Sequence, residues 1–287
     1  MPDFLMPMTE FATQEVKLLF YGDSGTGKTW ATSRLPNVLI VDFEKGLRSA
    51  PTDGTIFACK VGDLRAAFNL DRREYPSISV TITDVEDLKK VWGLVREHPS
   101  RFDTVVLDSI TTLGDMSEEW IRTKFAKAGT QRVQADDGSG VLIALTIQGW
   151  GYSQNKLNDA IMAFRFLPVN VIFVFHEQEI TVKDQPSRFR PKLKGKDLLP
   201  RIQGLVDFAI RIELANHKVG PNVTVRRRFR CHPTPTIWAK VRDGEGDLLA
   251  THEPADLHAF MEKVTGRTTD EITVETVEEK QPQLTTA

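Results

Sequence analysis

Residues 22–29 read Gly22-Asp23-Ser24-Gly25-Thr26-Gly27-Lys28-Thr29, matching G-x-x-x-x-G-K-[ST] at every fixed position. Glycines let the backbone curl with its N–H groups pointing inward, and a helix starting at the end of the loop turns its positive pole toward an anion. The chemistry is phosphate binding: Lys28 would reach the β- and γ-phosphates of a nucleotide, and the Thr29 hydroxyl would ligate Mg²⁺. A chance match in a glycine-rich turn is the competing reading. The flanks decide against it, because 16–21 is apolar and β-prone while 28–35 has helical character, giving the strand-to-helix junction the motif requires.

A metal at Thr29 needs a carboxylate from a neighbouring strand. The run Thr104-Val105-Val106-Leu107-Asp108 ends in one, 80 residues after Lys28. Hydrolysis also needs a base or water-orienting group near the γ-phosphate. Ser109 follows Asp108, so that carboxylate must come from elsewhere. The segment Val41-Asp42-Phe43-Glu44 ends the strand after the loop helix and places Glu44 at the carboxyl edge, where doubly wound sheets bind ligands.

The elements that must position these groups follow a β-α-β order. Short apolar runs at 38–42, 104–107 and 170–175 read as buried parallel strands. An alternating strand is expected over 78–82, a helix from the capping box at Thr83 to Glu86 through His98, and helices over 115–127 and 155–167. Residues 136–140 and the polar, basic stretch 176–201 read as loops, the latter long and mobile; strands recur at 206–214, 223–230 and 236–241, and a last helix at 254–264. The fold class is α/β: a doubly wound, mainly parallel sheet flanked by helices and finishing with antiparallel strands. An N-terminal arm (1–15), one core (16–265) and an acidic, disordered tail (266–287) divide the chain.

Composition narrows the rest. Of 287 residues, 40% are hydrophobic, and 37 basic against 39 acidic side chains leave a net charge of −2, so only local clusters can indicate a partner. Two scattered cysteines give no disulfide framework or zinc spacing, and no apolar run spans a bilayer. The expected compartment is the cytoplasm, the host's if the chain is phage-encoded. One cluster stands out: between 183 and 201 seven basic residues, among them Arg188, Arg190, Lys192, Lys194 and Lys196, face two aspartates. Such a run suits phosphate contact and salt-sensitive binding. Phe189 lies within it, and the aromatics Trp150 and Tyr152, between and after glycines, offer stacking surfaces or loop anchors.

With the phosphate loop, D-x-E at 42–44 and Asp108-Ser109-Ile110-Thr111-Thr112-Leu113 in place, the chain resembles the RecA-type ATPase core. More closely it resembles an AAA-like family of phage-borne nucleotide-binding proteins, some of which act as single-strand-annealing recombinases. The resemblance covers about 15–245. It implies ATP and Mg²⁺ as cofactors, Glu44 as catalytic carboxylate, and a γ-phosphate sensor just past the 170–175 strand, where His176-Glu177-Gln178 leaves His176 and Gln178 as candidates. It further implies that Lys240 and Arg242 reach the nucleotide of a neighbouring subunit in a homo-oligomer, and that the loops carrying Trp150, Tyr152 and 188–196 face single-stranded DNA, with a single-strand-binding protein as a further partner. The expected function is a DNA-stimulated ATPase of recombination, annealing or repair. A ring-forming helicase or loader is the alternative within ATPases; a nucleotide kinase or a nucleotide-dependent switch is the alternative outside them.

Overall fold

The computed structural model describes residues 15–46, 55–125, 129–134, 141–181, 183, 185–195, 198–219, 222–242 and 248–266. The expected arm (apart from Glu15), the acidic tail beyond Gly266, the loop at 136–140 and Lys196 lie outside them.

Twelve strands and seven α-helices follow in chain order among the described residues. They are β1 (Lys17–Gly22), α1 (Lys28–Thr32), β2 (Val38–Asp42), β3 (Ile56–Cys59), α2 (Leu64–Phe68), β4 (Ser77–Thr81), α3 (Leu88–Glu97), β5 (Thr104–Asp108) and α4 (Ile110–Lys124). Then come β6 (Thr130–Gln134), β7 (Val141–Leu145), α5 (Ile147–Arg165), β8 (Asn170–Ile180), β9 (Arg188–Pro191), α6 (Leu198–Leu205), β10 (Phe208–Val219), β11 (Asn222–Arg230), β12 (His252–Pro254) and α7 (Leu257–Thr265). The main sheet runs β12-β11-β10-β1-β8-β5-β2-β4-β3, with β9 on the outer part of β8 and β6-β7 as a separate hairpin. From β10 to β3 every neighbour is parallel; β11, β12 and β9 add antiparallel pairs.

The central strands are apolar throughout because both faces are covered. Leu19, Tyr21, Val41, Leu107, Phe173 and Phe175 point into one core with α2 to α6, while Leu18, Phe20, Ile40, Val106, Ile172 and Val174 meet α1 and α7. Burying each such side chain contributes about 1.5–3 kcal/mol. Parallel pairing then aligns the strand ends. Gly22 lies opposite His176, and Asp42 opposite Asp108. The switch in strand order at β1 puts the phosphate loop at the crevice beyond these ends.

Several expectations are corrected. The described residues of 176–201 are largely in regular elements and not a loop: β8 continues to Ile180, β9 pairs back on it with Glu177 opposite Pro191 and Ile180 opposite Arg188, and α6 begins at Leu198. Polar side chains gave the loop reading, but the ribbon satisfies them in place: Glu177 pairs with Arg211, whose guanidinium lies 4.7 Å from the Phe189 ring centre, and Pro191 is buried. Residues 236–241 make only two isolated bridges, Ile237 with Phe189 and Lys240 with Ala209. Trp150 and Tyr152 lie inside α5, which Thr146 caps by accepting from Gly149 N–H at 3.0 Å. Gly149 is there for closeness, not for a turn, since a Cβ would fall 2.0 Å from the Gly129 carbonyl oxygen. The cap before α3 is Asp84, whose side chain accepts from Glu86 N–H, and not Thr83.

Candidate nucleotide site

The loop after β1 is tight because Gly25 and Gly27 take φ 76° and 96°, the left-handed region where a side chain is strained. Gly22 has no room for one, since its Cβ would meet Ile212 at 2.6 Å. Lys28 folds back over the loop and donates to the carbonyls of Gly22 at 3.0 Å and Asp23 at 2.8 Å. Burial holds its ammonium below the ordinary lysine range, against the pull of Asp108 and Glu44.

From the first turn of α1, the Thr29 hydroxyl donates to Asp108 Oδ2 at 2.8 Å. Asp108 is buried at the end of β5. Burial pushes its carboxyl up to about 6; the Thr29 hydrogen bond opposes this, and the charges of Glu44 and Asp42 add to it. Asp42 accepts from the N–H groups of Glu44 at 2.9 Å and Gly46 at 3.3 Å through Oδ1, while its buried Oδ2 finds no hydrogen-bond partner among the described residues. A hydroxyl beside crowded carboxylates is a donor set that suits Mg²⁺, which takes one or two protein oxygens and completes its shell with water and substrate phosphate. Among the described residues no three His, Cys, Asp or Glu side chains converge to hold a metal by themselves.

Glu44 is the best-anchored polar group at this edge. Its Oε1 accepts from the Ser109 hydroxyl, from Thr112 Oγ1 at 2.7 Å, and lies 2.6 Å from His176 Nε2. Burial disfavours the carboxylate, but the hydrogen bonds of His176, Ser109 and Thr112 outweigh it and bring the group down to about 2. Ser109 also caps α4, accepting from Thr112 N–H. A carboxylate so acidic orients water better than it takes a proton.

His176 is therefore the sensor candidate that reaches Glu44. Gln178 sits two residues further out, opposite Arg190, in a cleft of about 490 Å³ that Glu177, Lys192 and Lys194 also line. The cleft is tied to the edge carrying Glu44 through Thr111, whose hydroxyl accepts from His176 N–H at 3.1 Å and donates to the Lys192 carbonyl at 2.9 Å.

The basic residues divide. Arg188 is exposed on β9, and Arg190 keeps a buried Nε without a partner among the described residues. Lys194 is already neutralised, 2.8 Å from both Asp115 and Glu118, with its ammonium 5.9 Å from the Trp150 ring centre. Tyr152 lies instead beside Phe125 and Trp120 on an apolar groove of about 550 Å³. Trp150 and Tyr152 thus form no single stacking platform. Lys240 donates to the carbonyls of Gln203 at 2.6 Å and Val206 at 2.7 Å, closing the end of α6, and Arg242 pairs with Asp207 at 3.1 Å. Asp207 also accepts from Lys17 N–H at the start of β1, so this pair lies at the sheet edge opposite the loop of its own chain.

Sequence reasoning quoted Asp42, Ser109, Thr111 and Thr112 within motifs but gave them no role of their own. The signal was present: a hydroxyl immediately after the strand-ending Asp108, with another three residues on, is a helix cap whose side chains face the strand ends. It read 226–230 as a second basic cluster on a strand but gave no role to Arg227 of β11, which reaches the outer side of the phosphate loop.

A model of an AAA domain family matches residues 14–242. The chain belongs to this AAA domain family. Its phosphate loop, Asp108 and Glu44 all fall within the matched region, and the AAA domain accounts for a nucleotide-hydrolysing P-loop core. None of the curated proteins compared matches the chain. Among solved structures, it is similar to a KaiC-like protein from Pyrococcus horikoshii OT3, at 13% identity over 77% of this chain and 81% of that one, with TM-score 0.38. It is also similar to the genome packaging NTPase of Sulfolobus turreted icosahedral virus 2 in complex with ATP-γS, at 10% identity over 72% and 77%, with TM-score 0.35. No described helix of this AAA domain protein is long and apolar enough to cross a membrane.

Proposed function

We propose that this chain is an ATP- and Mg²⁺-dependent, DNA-stimulated RecA-like ATPase that binds single-stranded DNA in recombination, strand annealing or repair, as a homo-oligomer with nucleotide at subunit interfaces. The observation that carries the reading is the hydrogen-bond path from Glu44 through His176 and Thr111 to Lys192, joining the hydrolytic edge to the β8–β9 ribbon with Arg188 and Arg190.

Lys28 and the loop N–H groups bind the polyphosphate, and Thr29 with Asp108 would hold Mg²⁺, whose charge offsets that building up on the phosphoryl oxygens. Glu44 orients the attacking water, with His176, Ser109 and Thr112 fixing the carboxylate. Lys240 and Arg242, on the far edge of their own sheet, could serve only a neighbour's nucleotide. A binding partner that displaces the β8–β9 ribbon shifts His176 and so reports to Glu44. The kinase alternative loses support because the stretch that would be its lid is a hydrogen-bonded ribbon.

The test is steady-state ATP hydrolysis with and without single-stranded DNA, at low and high salt, with Lys28→Ala as control. Stimulation that weakens with salt supports the reading. Unchanged hydrolysis with no DNA retention rejects its DNA half.

A further inference from the structure

The outer side of the phosphate loop carries a cation from the antiparallel end of the sheet. Successive side chains of β11 leave on opposite faces. Arg228 accordingly joins an ion-pair network, with Nε 2.7 Å from Glu213 Oε1, whereas Arg227 turns the other way and its Nε donates to the Thr26 carbonyl oxygen at 3.0 Å. The Arg227 guanidinium also lies 5.5 Å from the ring centre of Trp30, in the first turn of α1. The approach depends on Gly27, because a Cβ there would stand 2.9 Å from Arg227 Nε.

The Thr26 carbonyl and the Gly27 N–H belong to one peptide unit. That unit is trans, and in a trans peptide the C=O and N–H point in opposite directions. A carbonyl turned outward to Arg227 therefore turns the Gly27 N–H inward, toward the concavity where a phosphate is cradled. A cation on the carbonyl polarises the unit and makes the N–H a stronger donor.

We propose that Arg227 is a positioning residue for nucleoside di- and triphosphates: it fixes and polarises the Thr26–Gly27 peptide against the phosphate, with Trp30 steadying the guanidinium. This rests on the nucleotide-binding reading of the loop.

The test uses the full chain with Arg227→Gln, which keeps a donor without charge, Arg227→Met, which keeps neither, and Arg227→Lys, which keeps the charge. Dissociation constants for ADP and for pyrophosphate are measured by calorimetry, and thermal midpoints report folding. Arg227→Gln and Arg227→Met are expected to weaken both ligands by about tenfold, the scale of one charge-assisted hydrogen bond, with Arg227→Lys recovering part of it. The loss should fall on KM for ATP more than on kcat. The ligand-induced change in tryptophan emission that disappears in Trp30→Phe should shrink in Arg227→Gln. Wild-type affinity in either neutral variant, beside a Lys28→Ala control that binds nothing, overturns the role of Arg227 alone. A wild-type chain that binds neither ligand overturns the nucleotide site and this inference together.

Discussion

His176 Nε2 lies 2.6 Å from Glu44 Oε1, an oxygen that also accepts from Ser109 and Thr112. A strand end and a helix start far apart in sequence converge on one carboxylate. Glu44→Gln should leave ATP binding within about threefold and lower turnover at least 100-fold, roughly the scale of a lost water-orienting carboxylate. Binding of a fluorescent ATP analogue beside phosphate release checks both, and full turnover would remove Glu44 from the mechanism.

The low pKa of Glu44, about 2 against an ordinary 4.5, fixes the sign of a pH effect. Its folded value lies below its unfolded one, so its stabilisation is complete above about pH 4.5 and is lost as pH falls toward 2. His176→Ala removes the first of the hydrogen bonds that lower the pKa and should flatten this acid limb. Urea midpoints from about pH 3 to pH 6 measure it.

Asp108 has the opposite sign. Its carboxyl is pushed up to about 6 from 3.8, so the metal-free fold loses stability as pH rises between those values and carries the whole cost above 6. Asp108→Asn keeps an acceptor for the Thr29 hydroxyl, and at about pH 8 without metal it should melt above the wild type. The same variant should lose the Mg²⁺-dependent rise in melting temperature expected of the wild type with nucleotide. An Asn variant that melts lower under those conditions contradicts the charge argument.

Reversing charge on the ribbon with Arg188→Glu and Arg190→Glu should weaken single-stranded DNA binding and lower the slope of log K against log salt by about 0.7 for each phosphate no longer neutralised. Lys194→Ala should have a smaller effect on affinity, because Asp115 and Glu118 already pair that ammonium. Filter binding across a salt series ranks the three positions, and an equal weakening at Lys194 would contradict the assignment.

Gly149→Ala should destabilise the chain by about 1–3 kcal/mol or more, since the added methyl meets the Gly129 backbone with no side chain able to give way. Chemical unfolding decides it; a neutral change would mean that the hairpin β6–β7 yields.

The phosphate loop and the β-α-β order were legible because their signals are local: fixed glycine positions, and apolar runs closed by Asp42 and Asp108. Partners were not legible. That Glu44 meets Ser109, Thr112 and His176 depends on parallel register, which a sequence does not display. Gly149 looked like a loop because closeness and flexibility call for the same residue. The ribbon of β8 and β9 looked unstructured because the side chains it half-buries are largely charged and paired, as Glu177 is with Arg211, and leave no apolar alternation to read. Arg227 was hidden beside Arg226, Arg228 and Arg230, told apart only by which face of β11 it leaves.

The sheet order also governs the timing of folding. β1, which carries the phosphate loop, pairs with β8 and β10, and hydrogen bonds at its start join residues 154 and 190 positions apart. At translation rates of about 5–20 residues per second, β1 waits on the order of ten seconds or more on the ribosome before either neighbour exists. The first of these strands to be made is thus enclosed only once β10 follows, late in the sheet. The apolar run of β1 stays exposed to chaperones and to misassembly through most of synthesis, and the nucleotide loop takes shape only when nearly the whole core has been made.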